Sequence, residues 1–296
     1  MKQQEFINRT IIYFLLFVTS VIMVYPLVFM ILGSFTTLAE YSRTTILPMP
    51  SQISFQTHID LLSVDLGPAY RITLIRIAFY LMWSVTVSLL GGYAFSRLRF
   101  PGKNMLFMFF LTGLVVPAIL TSLPTYMMVA RFPFAGGNDA GGVGGHGFVN
   151  EWPALFILGW VDVFAIFLMK QSYDMLPIEY EEAAKIDGAG FFTIIFRVYV
   201  PMLRPAIVAV IISVFVGVWN DYFWPLLVVA GNKDLAPVAL QVQRVIYNLA
   251  TSEGFYNFPY PLIFAAATLA ALPPLVLYLF LQRYFVQGLA ATGIKG

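Results

Sequence analysis

The stretch IIYFLLFVTSVIMVYPLVFMIL, Ile11–Leu32, holds no Asp, Glu, Lys or Arg. About 20 apolar residues in a helix cross the hydrocarbon core of a bilayer. The run therefore predicts a membrane-spanning helix. It is too long for a cleaved signal peptide. No small-residue cleavage site follows it, and Tyr25 and Pro26 lead straight into Leu27–Leu32. Five more stretches read the same way, near Ile72–Phe95, Met105–Val129, Pro153–Met169, Ala206–Ala230 and Pro261–Leu281. In the second, Arg71 and Arg76 stand at the start. Either they snorkel to the interface, or the span begins after Arg76. The fourth is the shortest and contains Asp162. The expected fold is all-α: one polytopic membrane domain, 1–296, with six transmembrane helices.

Composition agrees. The 296 residues are 59% hydrophobic and only 11% charged, against about 25% charged in ordinary soluble domains. That excludes a soluble enzyme, a disordered chain and a nucleic-acid binder. An outer-membrane barrel shows short alternating segments, not long apolar runs. The net charge of +2 points to no polyanionic partner. With no cysteine, disulfides and thiolate metal sites are excluded. His58 and His146 lie far apart in polar stretches, which argues against a histidine metal cluster.

Six spans place both termini on one side. Eleven of the 17 Lys and Arg then fall on that side. The short turn Arg97-Leu-Arg-Phe-Pro-Gly-Lys103 carries three of them and no acid. Short loops obey the positive-inside rule best, so both termini are expected in the cytoplasm. On the other side, Gly33–Arg71 is long and polar. Phe132–Glu151 is rich in glycine and reads as a mobile loop. It is no phosphate cradle, because no Lys-Ser/Thr pair follows it.

The segment Gln171–Arg204 is long for a connector and unusually charged. Pro177 suits a helix start. Glu179, Glu181 and Glu182 favour a helix N-terminus, and Gly188 suits a left-handed end. A second helical stretch, Phe191–Val200, meets Pro201. Two short helices at an angle are expected, lying on the cytoplasmic membrane face. On composition alone this is an amphipathic connector.

The spacing adds more. Glu182-Ala183-Ala184, three residues, Gly188, nine residues, Val198, one residue, Val200-Pro201 resembles the signature of inner-membrane permease subunits of ABC importers. Val stands where that signature has Ile and Leu. Tyr93–Gly102, Trp219–Leu226 and the tail Gln282–Gly296 resemble the carbohydrate branch, in particular the smaller six-span permease of maltose-type transporters. The glycine-rich loop departs from that pattern.

The resemblance implies a non-catalytic subunit of a bacterial or archaeal cytoplasmic membrane. It would work beside a second permease in a heterodimer, with two ATPase subunits and an extracytoplasmic solute-binding protein. No Walker A pattern occurs, so this chain is expected to bind no cofactor, and ATP and Mg would sit on the partner ATPase. The family's coupling helix carries over onto Glu179–Gly190, with Glu181, Glu182, Ala183, Ala184, Asp187, Gly188 and Pro201 as coupling residues. Local capping or packing is the alternative for each.

Polar residues within spans are functional candidates by default. Trp219, Asn220, Asp221 and Tyr222 combine hydrogen-bonding groups with aromatic faces and are candidates for a solute path. The competing reading is a helix-packing site, with Asp221 paired to a neighbouring chain or near the outer interface. Asp162 fits a water-filled crevice or an interhelical donor. Gly254, Phe255 and Tyr256 are candidates for binding-protein contact, or for an interfacial anchor. Two rivals to transport by a subunit are a self-sufficient secondary transporter or channel, and a membrane enzyme acting on lipid-linked sugars. The first wants more intramembrane acids than Asp162 and Asp221. The second wants acids or histidines clustered at one face.

Overall fold

Apolar runs become helices here because a backbone in hydrocarbon must satisfy its own hydrogen bonds. The computed structural model describes residues 2–43, 46–62, 66–157, 161–252 and 259–292, and among these every α, 3₁₀ or π element is helical, with no strand. In chain order the helices are α1 (Lys2–Gly33), α2 (Leu38–Tyr41), α3 (Gln56–Leu62), α4 (Leu66–Arg97), α5 (Lys103–Val115), α6 (Ala118–Ala130), α7 (Val163–Asp174), α8 (Glu179–Ile186), α9 (Phe191–Thr193), α10 (Val200–Met202), α11 (Arg204–Asn220), α12 (Phe223–Val229), α13 (Val238–Ser252) and α14 (Tyr260–Thr292). Single 3₁₀ turns occupy Trp152–Leu155 and Lys233–Leu235, and a π-helical turn, Ile194–Tyr199, joins α9 to α10.

Among the described residues, three helical stretches are long and apolar enough to cross a membrane: Phe6–Gly33, Leu66–Arg97 and Tyr260–Gln282. Two bent pairs bring the count to at most five, if each pair is one span. The first is α5 with α6, bent by 98°. Pro117 causes that break, since a residue before proline is driven out of the helical region and Val116 is extended (φ −78°, ψ 115°). The second is Phe191–Met202 with α11, bent by 84°. Pro201 has no N–H for the Arg197 carbonyl, and the turn before it widens to a π-helix. Pro205 then opens α11 in its first turn.

These breaks interrupt the helix in three of the expected spans. Met105–Val129 is two helices. Ala206–Ala230 stops as a helix at Asn220, and Asp221 is extended before α12 begins. The expected span Pro153–Met169 is a 3₁₀ turn followed by α7, which has 12 residues. At 1.5 Å per residue α7 covers about 18 Å, short of the roughly 30 Å core. Asp162 sets its start by accepting the Ala165 N–H at 3.1 Å, the capping role that short acidic side chains fill. Residues 158–160 lie outside the described set.

The chain divides into two compact units, Met1–Leu66 with Gln241–Pro273, and Gly67–Leu240 with Pro274–Gly296. In the first, Phe29, Tyr41, Tyr260 and Phe264 form an aromatic cluster. Gly33 admits it, because a Cβ there would stand 2.7 Å from the Phe264 ring. Beyond α1, Thr37 and Glu40 form a capping box around α2. The Ser51 hydroxyl, then the Thr37 backbone N–H, hold the Glu40 carboxyl at about 2.

In the second unit, α4 and α7 approach closely. A Cβ on Gly92 would stand 2.6 Å from the Met169 Cβ and 3.0 Å from the Lys170 backbone nitrogen. Their contact carries a buried core of Tyr80, Leu89, Tyr93, Met169, Tyr173, Ile195 and Tyr199. Gly92→Leu forces these backbones apart and is expected to cost about 1–3 kcal/mol, read as a lowered Tm of the purified complex. Gly190→Ala, with nothing within 4 Å, should leave Tm unchanged.

Candidate functional site

Two polar clusters stand out in the second unit. The first is built on α8. Glu179, Glu181 and Glu182 crowd its first turn, as dipole electrostatics favours. Gly188 ends it at φ +80°, a conformation that costs glycine little and other residues more. Asp187 is its C-cap. Glu181 and Ala184, three apart, share the inward face. The Glu181 carboxylate is buried and accepts from the Lys185 ammonium at 2.7 Å, Tyr199 Oη at 2.8 Å and Tyr93 Oη at 2.9 Å. Burial pushes its pKa up, but these three donors outweigh that and hold it below the usual glutamate value. Around it, Tyr93, Tyr173 and Tyr199 meet edge to face. Tyr93 and Tyr199 point their hydroxyls at Glu181, whereas the Tyr173 hydroxyl is buried with no hydrogen-bond partner among the described residues.

The opposite face of α8 is exposed. It presents Tyr180, Glu182, Ala183 and Ile186, the last 87% exposed. Two of the expected coupling residues are thereby repositioned. Glu181 faces into the helix bundle and not a partner, because three donors hold its carboxylate there. Ala184 packs against the buried core, its small side chain letting α8 lie close to its own bundle. Glu182, Ala183, Asp187, Gly188 and Pro201 are exposed.

The second cluster sits at the α11–α12 break. Arg76, expected to snorkel or to precede its span, is 1% exposed inside α4. Its Nη2 donates to Asp221 Oδ2 at 2.6 Å. Asp221 thus finds its partner within its own chain. A charge at membrane depth needs such a counter-charge. The other oxygen, Asp221 Oδ1, accepts the Trp224 backbone N–H at 3.3 Å and so starts α12. Tyr80 Oη and Trp224 Nε1 each donate at 2.9 Å to the Leu155 and Ala154 carbonyls. These residues border a crevice of about 410 Å³ that also takes in Ser84, Asp162, Ser213 and Gly217. Of the path candidates, Asp221 alone lines it. Trp219 is buried against Tyr70 and Phe215, whereas Asn220 and Tyr222 lie outside its lining. Gly254, Phe255 and Tyr256 lie outside the described residues. Among the described residues no group of His, Cys, Asp or Glu has the arrangement of a metal site.

The glycine-rich loop is more ordered in its bonding than its composition suggests. Asn138 Nδ2 donates to the Ala130 and Phe132 carbonyls, and its Oδ1 accepts from Gly145. Asp139 Oδ1 accepts from Gly141 and Val143. Gly142 and Gly147 take positive φ where a Cβ would strike the carbonyl oxygens of Arg131 and Val129. Several of the glycines are required by close packing, which corrects the expectation of a mobile loop.

Residues 84–291 match the family described as "Binding-protein-dependent transport system inner membrane component". The chain belongs to this permease family. Among similar proteins, the arabinooligosaccharides transport system permease protein of Halalkalibacterium halodurans is 28% identical, over 93% of this chain and 92% of that one. The lactose transport system permease protein of Rhizobium radiobacter is 28% identical, over 95% and 94%. In fold, the permease resembles a crystal structure of a bacterial ABC transporter involved in import of the acidic polysaccharide alginate. That match has TM-score 0.76 and 20% identity, covering 95% of this chain and 98% of that one. A structure of a bacterial alginate ABC transporter in complex with alginate pentasaccharide-bound periplasmic protein also resembles it, with TM-score 0.62 and 14% identity over 94% and 91%.

The permease is thus a multi-pass membrane component of a binding-protein-dependent transport system. The motif Glu182-Ala-Ala…Gly188 was legible in its sequence. The Tyr93 and Tyr199 cage and the Arg76 pairing were not. A basic residue inside an apolar run, with one acid in another run, was the signal available for the latter.

Two outcomes test these clusters. Arg76→Met leaves Asp221 without a counter-ion and should destabilise the permease by about 3–5 kcal/mol, with Arg76→Met/Asp221→Leu recovering much of it. A double-mutant cycle on Tm reads this. Because the pKa of Glu181 is depressed by folding, its stabilisation is present above the ordinary glutamate value and lost as pH falls through its folded value. Hydrogen exchange of α8 should therefore stay slow at pH 5 and accelerate only below the ordinary glutamate range. Glu181→Gln should remove that pH dependence.

Proposed function

We propose that this permease imports a sugar or oligosaccharide by alternating access, driven by ATP and Mg on two separate ATPase subunits. It pairs with a second permease, and an extracytoplasmic binding protein delivers the solute. The observation that carries the reading is the two-faced α8. One face is locked to the bundle through Glu181 and the other offers Glu182, Ala183 and Ile186 to a partner. A helix built so can pass a push from a docked ATPase into α4 and the π-helical turn, where Tyr93 and Tyr199 stand.

Six crossings with both termini in the cytoplasm remain part of this proposal. The three long spans and two bent pairs supply five, and the 3₁₀ turn with α7 would be the sixth. The relatives named for arabinooligosaccharides and lactose support a carbohydrate solute. The relatives also support a purely transport role, with hydrolysis carried out elsewhere. Gly254, Phe255 and Tyr256 remain proposed contacts to the binding protein. A ligand-loaded binding protein shifts the permease between states only by contacting one of them better.

Glu182→Arg reverses the charge offered to the ATPase, and Gly188→Val strains the turn that aims α8. In vesicles reconstituted with the full complex, each should cut ATP-driven uptake to about a tenth or less, through loss of the ATPase or of its coupling. Unchanged assembly, ATPase activity and uptake in both variants would refute the coupling role of α8.

A further inference from the structure

The crevice at the α11–α12 break has a chemistry of its own. Its lining sets five polar side chains, Arg76, Ser84, Asp162, Ser213 and Asp221, among the apolar surfaces of Tyr80, Val214, Val218 and Trp224. Non-helical backbone at membrane depth is tolerated where it lines a cavity, and extended Asp221 is such a place. Arg76 uses one nitrogen on Asp221. Its Nε and Nη1 are buried with no hydrogen-bond partner among the described residues. Leaving buried charged donors unpaired costs more than leaving neutral ones so. The arrangement therefore calls for an oxygen acceptor from outside this unit.

The formal charges say which acceptor. Arg76 contributes one positive charge, and Asp162 and Asp221 contribute two negative ones. A carboxylate or phosphate entering would add a third negative charge in a region that screens poorly. A hydroxyl adds none, accepts from the guanidinium and donates to an aspartate. The rings of Tyr80 and Trp224 form a buried wall, pinned by their bonds to Leu155 and Ala154, and the Arg76 guanidinium lies 5.8 Å over the Tyr80 ring. A volume of about 410 Å³ lies within the range of small-ligand sites, roughly 300–1,000 Å³.

We infer that this crevice is a transient binding site for an uncharged polyhydroxylated solute, held between the free Arg76 donors and Asp162, and that the permease disfavours acidic sugars. The inference rests on the sugar-import reading above and deepens it.

The test uses the whole complex in proteoliposomes, with maltose, lactose and arabinobiose as neutral probes and digalacturonate as the acidic one. Wild type should take up at least one neutral probe and not the acidic one. Asp162→Asn keeps the helix cap, since Asn caps as well as Asp, but loses the charged acceptor. It should raise the half-saturating concentration of the transported probe by about tenfold. Gly217→Trp fills the crevice. A Cβ on Gly217 meets nothing within 4 Å, so the variant should assemble, and its uptake should fall below about a tenth of wild type.

Preferred uptake of digalacturonate would overturn the inference while leaving the import reading intact. So would neutral uptake that neither variant alters, which would mean that side chains of the second permease fill the crevice. ATP-driven uptake of no probe would overturn the inference together with the reading beneath it. If Gly217→Trp fails to assemble, Asp162→Asn alone decides.

Discussion

The ion pair between Arg76 and Asp221 organises the second unit. Its partners lie 145 positions apart, and neither charge is tolerable at membrane depth alone. Satisfying both brings α4 against the point where α11 stops. The same carboxylate that neutralises Arg76 also accepts the Trp224 amide in the first turn of α12. The helix break and the charge pair are therefore one feature. Tyr80 and Trp224 extend it by fastening the 3₁₀ turn Trp152–Leu155 from two sides. A helix discontinuity that would otherwise expose backbone amides becomes a fixed, polar corner.

The second organising point is Glu181. A carboxylate beneath a surface helix is costly unless its lone pairs are filled, and Lys185, Tyr93 and Tyr199 fill them. The consequence is stiffness. An eight-residue helix has little intrinsic stability, yet α8 is tied by its own side chain to α4 and to the π-helical turn. The π-turn exists because Pro201 withholds an amide. The proline of the family motif thus shapes the seat on which α8 rests.

Much of this architecture was legible in the sequence, and the failures have physical causes. Apolar composition located the membrane segments but is blind to the hydrogen-bond ladder. It therefore fused α5 with α6 across Pro117 and ran α11 through Asp221. It also read the 3₁₀ turn and α7 as one helix, although Asp162 at a helix start is a cap more naturally than a span interior. Motif spacing placed α8 and its glycine end correctly. It did not say which face looks inward, and Glu181 with Ala184, three residues apart, went to the bundle. Arg76 was missed because a basic residue near a span end normally reaches for water. Only the fold shows that an acid from another helix reaches it first. Glycine density in 132–151 suggested freedom, whereas several glycines are there because a methyl group has no room.

The basic turn between α4 and α5 carries a further consequence. Arg97 Nη2 takes the Tyr173 and Leu176 carbonyls at 2.7 Å each, and Lys103 Nζ takes those of Ser96 and Leu98 at 3.0 Å each. These carbonyls stand at and just past the ends of α7 and α4, where intrahelical donors run out, and that of Tyr173 also accepts the Leu176 amide at 3.1 Å. The residues that would govern insertion during synthesis are therefore also the pins of the finished bundle. Neutralising Arg97 or Lys103 to read out topology would confuse a flipped chain with a frayed one. Exposed Arg99 is the position where charge can be edited with the least disturbance of the helix ends.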